Sequence, residues 1–441
     1  MKKQYIKIAF YGLSAIVLIF QSSCKKDFSN PNAATDQQVF SSGQGITDVA
    51  IGLQRVYTAG RASSLYNRIT INGLLTNELT VLNQGNTGEY QLQVGGGSVD
   101  GTNTLDAGLW TSSNKIIYDA DNVIAGAQGL SDKGYASGLI GYASIFKALA
   151  MGDLSMFWQK VPDGVGANVN FIDRTQGFTQ AISVIDNALS AIATNPISAQ
   201  FFTILPQNPP PPTPNPAIDI VNTLHALKAR FSLFLGNYAQ AMTEANAVSA
   251  SVKSTFTFTT VNLNPIFETA TSTNNVTAAI DNTTLGLPAG LQPDMNDNRL
   301  AFYTTSAYSS KINGFAAGTI TPWPIYLPGE LTLIKAEAYA RQSTPDLTNA
   351  LAQLNLVVTK TPAGDPYGVG ANLPALVGPY TQAQLLDQIY KHRCIELYMS
   401  GLKLEDMRRF GRPDSEKKRN LLPYPFQERD NNPNTPPDPT F

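Results

Sequence analysis

Apolar residues recur at helical spacing over most of the chain. In "LWTSSNKIIYDADNVIAGAQ" Trp110, Ile117 and Ile124 fall seven apart, with Tyr118 and Val123 beside them. "GLIGYASIFKALAMGDLSMFW" continues the pattern with Leu139, Tyr142, Ile145, Phe146 and Leu149, and "FTQAISVIDNALSAIA" adds Phe178, Ile182, Ile185, Leu189 and Ile192. This spacing predicts three long helices and assigns Trp110 and Trp158 to the core. "PPPPTPNPA", residues 209–217, interrupts them, because proline lacks the amide a helix needs.

Two later blocks share one form. "VNTLHALKARFSLFLGNYAQAMTEANAV" predicts two short helices broken at Gly236-Asn237. "GELTLIKAEAYARQSTPDLTNALAQLNLVV" predicts two more, broken at Ser343-Thr344-Pro345. Ala229, Ala241, Ala336 and Ala350 would let the paired helices approach closely. The form is that of tetratricopeptide-type hairpins with a loose period, or equally of plain helical hairpins. Residues 251–325 differ, being rich in Thr, Asn, Gly and Pro, and residues 60–105, with "VGGGSVDGTNT" at 94–104, also read as a long loop. Within 251–325, "STFTFTTV" alternates Phe256 and Phe258 with threonine, as a half-buried strand does. The expected architecture is mainly α: a tetratricopeptide-like hairpin scaffold with two loop-rich insertions and a few short strands. Loops on a rigid scaffold are where binding is expected.

The first residues form a separate unit. Lys2, Lys3 and Lys7 precede the uncharged apolar run "IAFYGLSAIVLIF", which is too short to span a bilayer and suits a secretory leader. Ser22 and Ser23 then precede Cys24, and the only other cysteine is Cys394. This resembles a bacterial lipobox, with Gln21 where leucine is usual. The expectation is a leader over residues 1–23, an acylated Cys24 as the new N-terminus, and one mature domain over 24–441. Paired acyl chains such as palmitate would anchor it stably. "CKKDFSN" further resembles signals that send lipoproteins to the outer face of the outer membrane.

Composition narrows the function. The net charge of −2 becomes about −5 once the three leader lysines are gone, which argues against a nucleic-acid binder. Charged residues are only 15% of the chain and tyrosines number 18, a surface suited to neutral ligands. No H-x-x-x-H, C-x-x-C or G-x-S-x-G pattern occurs, and no phosphate loop. His225 and His392 fit structural or solvated roles. "DMNDNR" lacks the central glycine and terminal glutamate of a calcium loop. No cofactor or metal is expected, and no enzyme, although a pair among the 33 acids could meet in space as in a glycoside hydrolase.

The most specific stretch is "LLDQIYKHRCIELYMSGLKLEDMRRFGRP", residues 385–413. Leu385, Leu386, Ile389 and Leu397 give it an apolar helical face, and Gly401 is placed to end the helix. Arg393 and Glu396 lie one turn apart, able to pair or to reach Asp406, Arg408 and Arg409. Their order resembles the C-terminal signature of the SusD/RagB family of nutrient-binding outer-membrane lipoproteins. "LWTSSNKIIYDADNVI", "ALKARFSLFLGNYAQAMTEANAV", "ELTLIKAEAYARQ" with "ALAQLN", and "LLPYPFQERDNNPN" resemble further family segments in the right order. "WPIYLPGELTL" departs by lacking an arginine before Glu-Leu. The resemblance implies a surface lipoprotein, with structural roles for the signature residues. It would capture a glycan, or alternatively a peptide, and pass it to a SusC-like TonB-dependent transporter. A surface-anchored glycoside hydrolase and a helical-repeat assembly protein are the competing readings.

Sugar rings stack on aromatic faces, so the candidate ligand residues are loop aromatics with polar neighbours. Trp323, between prolines in "TITPWPIYL", is the tryptophan expected to be exposed; Tyr303 and Tyr308 lie in the same insertion. From the first insertion come Tyr66 and Tyr90, with Arg68, Asn77 and Glu78 as polar partners.

Overall fold

The computed structural model describes residues 39–40, 42–208, 215–270, 276–305 and 311–441. The leader, Cys24 and Tyr308 lie outside the described residues.

Among the described residues sixteen helices follow one another: α1 Gly43–Thr58, α2 Ser64–Leu75, α3 Thr87–Val94, α4 Thr104–Gln128, α5 Lys133–Phe157, α6 Arg174–Thr194, α7 Ala199–Ile204 and α8 Ile220–Phe234 come first. Then come α9 Tyr238–Ala247, α10 Pro265–Ala270, α11 Asn298–Tyr303, α12 Pro328–Arg341, α13 Leu347–Val358, α14 Gln382–Glu396, α15 Lys403–Arg409 and α16 Phe426–Asn431. The strands among the described residues are two or three residues long and pair antiparallel in twos: β1 (Leu79–Val81) with β5 (Thr277–Ala279), β2 (Lys160–Pro162) with β3 (Phe171–Asp173), β4 (Thr255–Phe256) with β8 (Trp323–Pro324), and β6 (Thr304–Thr305) with β7 (Lys311–Ile312). The fold is mainly α and tetratricopeptide-like, as the periodicity predicts.

Local chemistry sets the helix boundaries. Asn103 accepts from the amides of Leu105 and Asp106 to open α4, and Asp132 accepts from Tyr135 to open α5. Gly236, at φ +73°, reverses the chain after α8, and Asn237 caps α9. Asp346 caps α13 beyond the Ser343–Pro345 break. Helices α4, α5 and α6 pack side by side, with Trp110, Tyr142, Phe146 and Ile185 buried. Tyr118, on the same predicted stripe, is 40% exposed. Gly152 of α5 lets α8 approach: a methyl there would sit 2.5 Å from Phe231. A second, smaller apolar cluster joins α12, α13 and α14 through Leu333, Ala336, Ala350, Leu354 and Ile389.

Three expectations need correction. The first insertion is not a loop: α2 and α3 occupy much of it, because Ser63 caps α2 and all twelve residues of α2, Leu65, Ile69 and Leu74 among them, are buried. In "STFTFTTV" only Thr255–Phe256 forms a strand, although Phe256 and Phe258 are both buried. And α14 ends at Glu396, five residues before Gly401. Gly401 instead turns the chain at φ +79°, where a side chain would meet Arg68 at 2.9 Å.

The signature residues build two buried ionic networks. Arg393 donates from Nε and Nη2 to Asp406 at 2.9 and 3.0 Å, and Arg409 donates to Asp406 at 2.5 Å and Glu337 at 2.6 Å. Glu396 faces the other way. It accepts from Arg299 at 3.0 Å and from Lys360 at 2.6 Å, while Arg299 also holds Asp297. Arg408 pairs with Glu405. These contacts hold α12, α14, α15 and the second insertion together, which is a structural role. His392 is also structural: it is buried, and burial with the neighbouring Arg299 keeps its imidazole neutral, accepting from Arg299 at 2.9 Å. His225 is half-buried against Glu244 at 2.6 Å.

Candidate ligand-binding cleft

A cleft of about 810 Å³ opens between the start of α8, the strand β4 approach and the second insertion. Its walls carry Phe302, Phe315 and Tyr367, all half-buried, so each keeps ring surface at the cleft. Asn208, Asn215, Asp219, Lys253 and Thr321 supply polar groups around them.

Each wall is fixed by local bonds. Asn264, fully buried, donates to the carbonyls of Phe315 and Thr321 at 2.8 and 3.0 Å. Its own side-chain oxygen accepts from the amides of Ile266 and Phe267, opening α10. One residue thus clamps both ends of the Phe315–Thr321 turn. Gly314, at φ +59°, lets the turn pass Phe302, where a methyl would come within 2.7 Å. The Tyr367 hydroxyl accepts from Ser254 N at 2.8 Å and donates to Ser254 O at 3.2 Å, so its ring cannot swing. Lys253 sits 5.4 Å from the centre of that ring, at cation–π distance. Phe315 meets Phe302 and Tyr367 edge-to-face at 5.2 and 5.9 Å. The rings present a stepped aromatic wall rather than one flat platform.

The sequence-chosen residues lie mostly behind this wall. Trp323, expected to be exposed, is 3% exposed: it pairs with Phe256 in the β4–β8 ladder and packs 6.0 Å from Phe315. Tyr303 is buried beneath Phe315 and donates to Glu396 O at 2.5 Å. Tyr66 is buried and donates to Glu89 at 2.8 Å. Arg68 is buried against Asp153 at 3.5 Å, and Glu78 is buried, accepting from Asn72 at 3.0 Å. Asn77 and Tyr90 are half-buried and lie away from the cleft. An aromatic bounded by proline does not have to be exposed when its neighbours form a strand pair that seals it. The missed residues share a signal: Phe315 in "INGFAAG" and Tyr367 in "DPYGVG" are aromatics beside glycine, in turns too small to bury a ring fully.

Chemically the cleft offers aromatic faces, amides, hydroxyls and one ammonium. Asp219 is the one carboxylate among its described lining residues, and its side chain accepts from Asn222 N at 2.9 Å to cap α8. Among the described residues no group of His, Cys, Asp and Glu is arranged to hold a metal ion, and no helix is long and apolar enough to cross a membrane.

The chain is similar to known proteins in both sequence and fold. The SusD family profile matches residues 219–438. No sequence among curated proteins matches. A putative sugar-binding protein from Bacteroides vulgatus aligns with a TM-score of 0.67 at 16% identity, covering 90% of this chain and 98% of that one. A SusD-like carbohydrate-binding protein from Bacteroides fragilis aligns at 0.63 and 14% identity, over 85% and 87% of the two chains. A laminarin-binding SusD-like protein aligns at 0.58 and 14%, over 90% and 98%. With the buried signature network, the profile match and the shared fold, the chain belongs to the SusD/RagB family.

Proposed function

We propose that this protein captures a glycan at the cell surface, in the cleft walled by Phe302, Phe315 and Tyr367, and delivers it to a SusC-like TonB-dependent outer-membrane transporter. The observation that carries the reading is that stepped aromatic wall, ringed by amides and hydroxyls and pinned by Asn264 and Ser254. Concave sites with aromatic faces and a few placed polar groups suit small polyhydroxylated ligands. The carbohydrate-binding and laminarin-binding relatives support a glycan. The mature unit is residues 24–441, tethered through a lipid on Cys24 and facing the exterior. Catalysis is not part of the proposal: glycoside hydrolysis uses two carboxyl groups roughly 5–9.5 Å apart, and the cleft carries Asp219 alone among its described lining.

The test is a glycan array followed by calorimetry. Phe315→Ala is expected to weaken the best ligand about tenfold or more, the equivalent of about 1–3 kcal/mol for a lost aromatic face. Binding unchanged by this substitution would remove the cleft, and turnover of the bound glycan would overturn the non-catalytic reading. Affinity purification from native membranes should recover a β-barrel partner; recovery of this chain alone would remove the transporter.

A further inference from the structure

A second cleft, about 360 Å³, lies between the two insertions and the signature segment. It is in the lower part of the size range of small-molecule sites. Thr76, Asn77, Thr284, Lys403 and Ser415 contribute polar groups, and Leu287, Pro288 and Met407 contribute apolar surface. Its walls are preformed. Asn77 takes φ +62°, and the chain at Gly286 passes so close that a methyl there would lie 1.7 Å from the Asn77 carbonyl oxygen. That contact fixes the first insertion against the second.

Lys403 is the informative residue. It is the first residue of α15, it is 5% exposed, and its Nζ has no hydrogen-bond partner. A buried ammonium with three unused donors is costly, so such groups normally face an acceptor. The protein does not supply one. Glu78, the nearby buried carboxylate, interacts with Lys403 electrostatically, yet its Oε1 is also without a hydrogen-bond partner. The two rim carboxylates are already engaged. Glu416 accepts from Arg412 at 2.9 Å, and Asp281 accepts from the amides of Thr283 and Leu285 at 2.8 and 3.2 Å. They still carry charge, so an anion entering the cleft would pass two like charges. A hydroxyl oxygen can accept from Lys403 without adding negative charge, and the Thr, Ser and Asn side chains match further hydroxyls.

We infer that this cleft is a second binding site, separate from the aromatic cleft, for a neutral polyhydroxylated ligand of monosaccharide size, one hydroxyl of which accepts from Lys403 Nζ.

The experiment is saturation-transfer NMR on the full chain in mild detergent, in a Phe315→Ala background that weakens the aromatic cleft. The probes are glucose, galactose, N-acetylglucosamine and glucuronate. At least one neutral sugar is expected to show transfer, and glucuronate less than glucose. Adding Lys403→Met should weaken that binding at least tenfold. Ser415 is exposed on the rim, so Ser415→Trp blocks the entrance without touching the core and gives the same loss even if Lys403→Met fails to fold. Absence of transfer from every neutral sugar overturns the inference, as does transfer that survives Ser415→Trp. Glucuronate binding tighter than glucose overturns the neutral-ligand assignment. Loss of the array-selected glycan in Phe315→Ala, with this signal intact, separates the two sites.

Discussion

Asp406→Asn is the sharpest test of what the signature segment does. Asp406 accepts two hydrogen bonds from Arg393 and one from Arg409, at 2.5–3.0 Å. Burial alone would raise its carboxyl pKa, yet Arg393 and Arg409 hold it below the usual range. Asparagine keeps the shape but removes the charge. Arg393 is fully buried, and its other carboxylate, Glu337, is 3.9 Å away and already bonded to Arg409 at 2.6 Å. Two buried guanidinium groups would then share one carboxylate. Breaking a buried pair by removing one partner costs about 3–5 kcal/mol, because the remaining charge stays desolvated. With an unfolding entropy of about 2.1 cal/mol/K per residue, a chain of this size loses about 1.1 °C in Tm per kcal/mol, so the expected fall is about 3–6 °C. Circular dichroism melts of the two proteins at one concentration and pH measure it. Arg393→Met with Asp406→Leu should recover much of the loss, since a well-packed apolar replacement of a buried pair is often neutral. Asp414→Ala, which removes an exposed partner of Lys417, should leave Tm unchanged. A fall below about 1 °C for Asp406→Asn would refute the argument that this pair neutralises buried charge.

The Glu78 carboxyl is pushed up to about 7 by burial, although Lys403 draws it back. Its folded value therefore lies above its unfolded value, so the folded state holds the extra proton and stability falls as pH rises from about 4.5 to 7; Glu78→Gln should flatten that slope in melts across the interval, and an unchanged slope would contradict it. Gly329→Ala would place a methyl 1.8 Å from Glu396 Oε1, inside the Arg299–Lys360 network, and should destabilise by about 1–3 kcal/mol or more in urea denaturation. Cys24→Ser should shift the protein from the outer-membrane fraction to the soluble one or stop its maturation; full retention in the membrane would remove the anchor assignment.

The sequence by itself determined the helical scaffold and the family. The seven-residue spacing of Trp110, Ile117 and Ile124 and the breaks at Gly236 and Pro345 act locally, through periodicity and chain reversal, so they are legible without neighbours. The residue types of the signature were legible too, but not their pairing. Arg393 and Glu396 lie one turn apart, yet Arg393 turns to Asp406 and Glu337 while Glu396 turns to Arg299 and Lys360. Those partners are distant in sequence, and only packing brings them within reach. The cleft shows the same limit more strongly. Trp323 and Phe315 are both aromatics in one insertion, and composition cannot rank their exposure. Pairing of Phe256 with Trp323 seals the tryptophan, whereas the Asn264 clamp and Gly314 hold Phe315 at the surface. Burial in irregular segments depends on which distant strand or turn closes over a side chain, and a contact of that kind leaves no periodic trace in the sequence.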